Sequence, residues 1–278
     1  MIDMQVKWPN KAKVAVMLTF DFDAETLWMA RDPENIRRPG ILSQGTYGAK
    51  VGIPMILQTL REEGVKATFF VVGWTAETHQ ARAEMILREG HEIAHHSYSH
   101  SWIDPAFPDK EVEEMEKGLE ALKRCLGVVP KGYRSPAGET SANLIRLLHK
   151  HEFLYDSSLL DDINPYRHVM PDGSPGPIEL PWHWSLDDAV YALFSIKGPR
   201  PIFPNSHIRQ VFQDEFREIY RWGGLYNLVM HPQVSGRPSR VALLREMIQF
   251  IKGFPNVWFA TGTEVAEAWA SNHEKANS

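Results

Sequence analysis

Val14-Ala15-Val16-Met17-Leu18-Thr19-Phe20-Asp21-Phe22-Asp23-Ala24-Glu25 is the stretch on which the fold turns. Its unbroken apolar start is the pattern of a strand covered on both faces, as in a parallel sheet. Lys13 to Asp21 is therefore read as a buried strand. The residues just past its end separate two architectures. A doubly wound nucleotide-binding sheet has a glycine-rich turn after its first strand, where bare backbone lets a phosphate approach. Here two carboxylates stand in that place. That favours a parallel (β/α) barrel, in which the strand ends share one rim and carry the chemistry.

Outward from this strand the chain alternates. Strands are expected at 66–72, 91–94, 132–135, 153–157, 178–184, 225–231 and 257–260. Helices are expected at 50–63, 81–89, 109–126, 141–150, 205–222, 240–252 and 263–270, with Gly64, Gly90 and Gly127 closing three of them. Long irregular passages are expected after Asp23 and around Gly198, Pro199, Pro201 and Pro204. Strand–helix alternation predicts a parallel sheet with helical crossovers. The expectation is an α/β fold, a distorted parallel (β/α) barrel of seven or eight strands, forming one domain over residues 1–278.

Composition narrows the function. A chain of 278 residues that is 43% apolar can bury a large core. A net charge of -5 gives no basic footprint for nucleic acid. The single Cys125, inside a helical pattern, rules out a disulfide framework and a cysteine zinc site, and is read as a buried structural thiol. No run approaches the roughly 18 apolar residues of a membrane span. Met1 to Pro9 lacks the basic and apolar regions of a secretory leader. A soluble, cytoplasmic protein with neither nucleic-acid nor membrane partner is expected.

The chemistry gathers at strand ends. His96 and His100, within His96-Ser97-Tyr98-Ser99-His100, are four residues apart, a spacing that puts two imidazoles on one side of a helical turn. With a carboxylate from Asp21 or Asp23 they make a two-His, one-Asp set with open positions, the composition of a catalytic metal site. Arg134 and Glu139 follow the fourth expected strand, Asp156 lies on the fifth, His183 near the sixth, and His231 ends Leu228-Val229-Met230. Taken alone, each has a plain structural reading. His91, His95, His149 and His151 are read as surface or packing residues. Trp28, Trp74, Trp102, Trp182 and Trp184 lie near strand ends, to line a sugar groove or to pack the core.

At these residues the sequence resembles the polysaccharide deacetylase family, the NodB-homology group of carbohydrate esterases. Thr19-Phe20-Asp21-Phe22-Asp23 is similar to its first motif, and His96-Ser97-Tyr98-Ser99-His100 to its second. Tyr133-Arg134-Ser135-Pro136-Ala137-Gly138 resembles the third, and Leu228-Val229-Met230-His231 the last. The resemblance covers residues 10 to 270. It implies Asp21 as catalytic base, Asp23, His96 and His100 as ligands of a divalent metal (Zn2+ first), Arg134 as the group that orients the base, and His231 as general acid. Met230 is implied to shape the acyl pocket, with Glu139 and Trp182 beside it as substrate-binding residues.

Two departures point to a sub-branch. Phe22 separates the two aspartates that most members carry side by side, and Ala137 replaces an aromatic before Gly138. Tyr155-Asp156-Ser157-Ser158-Leu159, Glu179-Leu180-Pro181-Trp182 and Arg237-Pro238 after His231-Pro232 resemble the branch holding a Helicobacter-type peptidoglycan deacetylase. Cyclic imide hydrolases and metal-independent allantoinases are similar to that branch, whose members tend to be homotetramers. The expected reaction is metal-assisted hydrolysis of a non-peptide amide, on an N-acetylated amino sugar or a related glycan or small molecule. Ring opening of a cyclic imide or ureide is the alternative, and a catalytically dead carbohydrate-binding barrel is the non-enzymatic one.

Overall fold

The computed structural model describes residues 6–195, 198 and 201–273. Met1 to Gln5, part of the stretch read as leaderless, and Pro199 lie outside the described residues. The strands are β1 (Val14–Phe22), β2 (Thr68–Val71), β3 (Glu92–His95), β4 (Gly132–Tyr133), β5 (Tyr155–Asp156), β6 (Tyr166–Val169), β7 (Pro175–Glu179), β8 (Leu225–Met230) and β9 (Val257–Phe259). The helices are α1 (Thr26–Arg31), α2 (Pro39–Tyr47), α3 (Ile53–Glu62), α4 (Gly73–Thr78), α5 (Gln80–Arg88), α6 (Pro108–Leu126), α7 (Leu144–Lys150), α8 (Asp188–Ala192), α9 (Asn205–Trp222), α10 (Pro232–Ser235), α11 (Pro238–Lys252) and α12 (Gly262–His273). No described helix is long and apolar enough to cross a membrane.

The sheet runs β6-β7-β5-β4-β3-β2-β1-β8, with β9 paired to β1. Every pairing is parallel except β6 with β7. The expected distorted parallel barrel is present; β1 and β3 have the expected length, β2, β4, β5, β8 and β9 are shorter, and β7 lies earlier than the strand expected at 178–184. The antiparallel β6–β7 hairpin was not expected. Between β8 and β7 no strand pairing closes the sheet among the described residues. Instead Asn227 Nδ2 donates to the carbonyls of Leu180 (3.3 Å) and Pro181 (3.2 Å), and Asp187 bridges Val229.

Alternation along β1 explains both cores. Val14, Val16, Leu18, Phe20 and Phe22 face outward, where they pack with Ile56, Leu60, Phe216, Leu244 and Ile248 of the surrounding helices. Ala15 and Met17 face inward with Phe70, Ala94, Tyr155 and Ile178. All nine residues of β1 are buried, so its burial stabilises both layers, at about 1.5–3 kcal/mol for each large side chain. The interior is so full that a Cβ at Gly132 would lie 1.9 Å from the Tyr155 ring.

The passage from 24 to 49, expected as loop, contains α1 and α2, and α4 was likewise not expected. Proline and glycine in Pro39-Gly40 read as loop punctuation, yet proline fits the first turn of a helix because that N–H has no partner to lose. Cys125 is half-buried on α6 and not, as expected, enclosed in the core.

Candidate active site

The inward face of β1 changes character as it climbs: Ala15 and Met17, then Thr19, Asp21 and, just past the strand, Asp23. A strand points alternate side chains to opposite faces. The Asp-Phe-Asp spacing therefore puts both carboxylates inside, while Phe22 seals the outer core. The same rule sorts β3: Ala94 and His96 turn inward, and His95 turns out to α6, where its Nε2 donates to the Met115 carbonyl (3.0 Å).

His96 and His100 do not share a helical turn. They lie in a loop after β3, with Ser97 and His100 both left-handed (φ 60° and 61°). The loop is clamped from α6, since Tyr98 N (3.1 Å) and Ser99 N (2.7 Å) donate to Glu114 Oε2, and His100 N donates to Ser97 Oγ (3.0 Å). The spacing of four was informative, but the backbone reaches the same juxtaposition through a tight loop.

His96 Nε2 and His100 Nε2 each stand 3.6 Å from Asp23 Oδ1. That is too long for a hydrogen bond and right for atoms sharing a metal at about 2.0–2.2 Å. Asp23 Oδ1 is buried without a hydrogen-bond partner. His96 Nδ1 lies 2.7 Å from the Arg134 carbonyl, which fixes its proton there and leaves Nε2 free to ligate. Burial holds both imidazoles below their ordinary range, well below in the case of His100, so they stand neutral. Burial, with Asp21 nearby, pushes Asp23 up to about 8 against the pull of His231. Such an enclosed carboxyl is short of positive charge. The three side chains fit a divalent cation.

Arg134 is fully buried beneath this cluster. Its Nη1 donates to Asp21 Oδ1 (2.8 Å) and to Thr19 Oγ1 (3.0 Å), and its Nε donates to the Ser157 carbonyl (3.1 Å). The guanidinium also lies 4.0 Å over the Phe70 ring. Burial alone would raise Asp21, but Arg134 and the imidazoles of His96 and His231 outweigh it and hold the carboxyl below its ordinary value.

His231 follows β8, with Nε2 3.9 Å from Asp23 Oδ2. Its Nδ1 lies 2.7 Å from Asp188 Oδ1, and its backbone N donates to Asp188 Oδ2 (3.0 Å). Burial would lower this imidazole, yet Asp187 and Asp188 raise it well above its ordinary value, so it stands as a cation. Sequence reading missed both aspartates. Asp187 caps α8 by accepting from Ala189 N (2.7 Å), and that Asp-Asp-Ala-Val pattern was the available signal.

Asp21, His96, His100, Arg134, Asp187 and His231 line a cavity of about 430 Å³. Glu139 and Trp182, expected to meet substrate, line it, together with Arg31, Trp102 and Trp184. Met230 does not: it is 2% exposed in the outer core with Leu244 and Met247. It precedes His231 by one residue, so alternation sends it to the opposite face, which corrects its expected place in the acyl pocket. His183 lies outside this cavity beside Ser185. Trp28 is buried with Leu27, Leu193 and Val234.

The polysaccharide deacetylase family model matches residues 9–155. A peptidoglycan deacetylase of Helicobacter pylori is 29% identical, over 92% of this chain and 96% of its own. A crystal structure from Mycobacterium smegmatis, assigned to the polysaccharide deacetylases, superposes with a TM-score of 0.92 at 38% identity, covering 96% of this chain and 93% of that one. PuuE allantoinase has the same fold, with a TM-score of 0.82 at 24% identity over 96% and 93% of the two chains. With more than half its length matched by the family model, the chain belongs to the polysaccharide deacetylase family and is a hydrolase of carbon–nitrogen bonds other than peptide bonds.

Proposed function

We propose that the protein is a metal-dependent deacetylase that cleaves the amide of an N-acetylated amino sugar or a related N-acyl compound. The convergence of Asp23 Oδ1 with His96 Nε2 and His100 Nε2 at 3.6 Å, the oxygen otherwise unpartnered, carries this reading. A divalent metal held by these three residues, with Zn2+ the first candidate, would polarise the scissile carbonyl and make water acidic enough to attack near neutral pH.

Asp21, ionised beside Arg134, accepts the proton of the attacking water. Arg134 keeps that carboxylate charged and aimed. His231, cationic and fixed by Asp188, delivers a proton to the departing nitrogen, which would otherwise leave as a strongly basic amide anion. Trp102 and Trp184, 54% and 41% exposed at the cavity, offer flat faces to the apolar side of a sugar ring. Trp182 lies deeper and Glu139 at the rim, placed to contact polar substituents. Assembly as a homo-oligomer and a single-domain organisation belong to the same proposal.

The test is metal content by elemental analysis, with hydrolysis of N-acetylated sugars and of cyclic imides measured before and after chelation. About one metal at this site and chelator-sensitive deacetylation are expected. Imide hydrolysis indifferent to the chelator, with no metal at the site, would overturn the reading and favour ring opening instead.

A further inference from the structure

Asp156 on β5, Glu179 on β7 and His168 on β6 form a second cluster, none of whose three side chains has a part in the catalytic reading. β5 and β7 pair in parallel with Asp156 opposite Glu179, so two carboxyls leave neighbouring strands at one level. The β6–β7 hairpin pairs Tyr166 with Glu179, and His168, two residues along β6, returns its ring to the same place. Its Nε2 lies 3.0 Å from Glu179 Oε2. Asp156 and Glu179 are fully buried, and the His168 side chain is 12% exposed.

Each carboxylate has one oxygen committed and one turned to the centre. Asp156 Oδ1 accepts from Ser157 N (2.9 Å) and Ser158 Oγ (2.6 Å). Glu179 Oε1 accepts from Ser158 N and Leu159 N, both at 3.0 Å. That leaves Asp156 Oδ2, Glu179 Oε2 and His168 Nε2 facing one another. One donor atom from each residue lies within 4.8 Å of the others. Asp156 Oδ2 is buried with no hydrogen-bond partner. An enclosed carboxylate oxygen without a partner is costly, and a cation in the centre removes that cost. Main-chain donors on the outer oxygens are also how ligating carboxylates are held in orientation at metal centres.

We propose that Asp156, Glu179 and His168 form a second divalent-metal site, for a transition-metal ion such as Zn2+ or Mn2+, that clips the β6–β7 hairpin onto β5. Two carboxylate oxygens and one imidazole suit these ions better than Ca2+, which takes oxygen ligands only. The clip bears on the catalytic rim, because Ser158 Oγ accepts from Ser135 N (2.9 Å), next to Arg134. The competing arrangement is a proton shared between the two carboxyls. Burial pushes Glu179 up to about 7 and Asp156 well above its ordinary value, so the pair takes up a proton when no cation is there.

Metal stoichiometry separates the two. Full-length protein stripped of metal would be equilibrated with excess Zn2+, desalted and analysed, with His96→Gln disabling the catalytic cluster and His168→Gln the new one. The expected result is about two Zn2+ per chain in the wild type, one in each single variant and none in the double variant. A His96→Gln protein that retains no Zn2+ would overturn the proposal, as would a His168→Gln protein with the wild-type count. The His96→Gln arm decides the matter even if His168→Gln fails to fold. One Zn2+ in the wild type, kept by His96→Gln and lost by His168→Gln, would support this site while removing the metal from the catalytic reading.

Discussion

Asp21 and Asp23 are two residues apart on one face of one strand, yet their surroundings push them in opposite directions. Arg134 at 2.8 Å keeps Asp21 ionised, whereas Asp23 has no cation at hydrogen-bond distance and rises to about 8. Asp21→Asn is expected to retain bound metal and to lose a hundredfold or more in kcat, the scale of a lost general base. Metal analysis beside kcat checks this, and near-wild-type turnover would remove Asp21 from the role. His231 makes a second case. On the proposed mechanism its raised value would put the alkaline limb of activity above the ordinary imidazole range, and the lowered Asp21 would put the acidic limb below the ordinary carboxylate range. Because the folded value of His231 is raised, its contribution to stability is complete below about pH 6.5 and is lost as pH rises through the folded value. Asp188→Asn removes one of the two carboxylates that hold the proton on. The alkaline limb of kcat/KM should then move to lower pH, with kcat down about tenfold or more. A pH–rate profile unchanged by the substitution would deny Asp188 this part.

Among the elements, α6 governs the histidine loop. Gly118, buried on α6, meets the outward-facing His95, and a Cβ there would fall 2.3 Å from His95 Nε2 and 2.9 Å from the Ser97 carbonyl. Neither neighbour can yield without losing the bond from His95 to the Met115 carbonyl or moving the backbone between His96 and His100. Gly118→Ala should destabilise by about 1–3 kcal/mol, the usual cost of overpacking, despite alanine's better helix propensity. It should also weaken metal binding. Denaturant unfolding and metal titration of the same variant measure both, and a stabilised protein with unchanged metal affinity would refute the packing argument. Much at this scale was readable from the chain. β1, α9 and β8 fall where apolar runs, helical spacing and glycine stops put them. The β6–β7 hairpin was not readable, because Tyr166-Arg167-His168-Val169 has no apolar face and owes its strand form to pairing with β7. α2 was hidden by Pro39, because proline serves a helix start as readily as a loop, and α1 is only six residues long.

For the molecule as a whole, the rim gathers groups from β1, β3, β4 and β8 that are up to about two hundred residues apart in the chain, as the Gln233–Asp23 bond shows. A metal bound by residues from separate elements binds the folded chain and not the unfolded one. At a hundredfold excess over Kd it should add about 2.7 kcal/mol of stability. At about 2–4 °C per kcal/mol for a chain of this size, that corresponds to a rise in Tm of about 5–10 °C. Thermal melts with and without chelator test this, and coincident melts would argue against a preformed site. The order of amino acids was enough to anticipate the barrel and the succession of its motifs, and to single out Asp21, Asp23, His96, His100, Arg134 and His231, which the fold then gathers on one rim. It sufficed because period-two burial and motif spacing are local properties of the chain. The folded arrangement was needed to show that Met230 faces the outer core, that Asp188 is the partner of His231, and that Asp156, His168 and Glu179 meet. Which face a strand end presents, and which distant carboxyl reaches it, depends on how the sheet curls and on where the chain crosses the gap between β7 and β8.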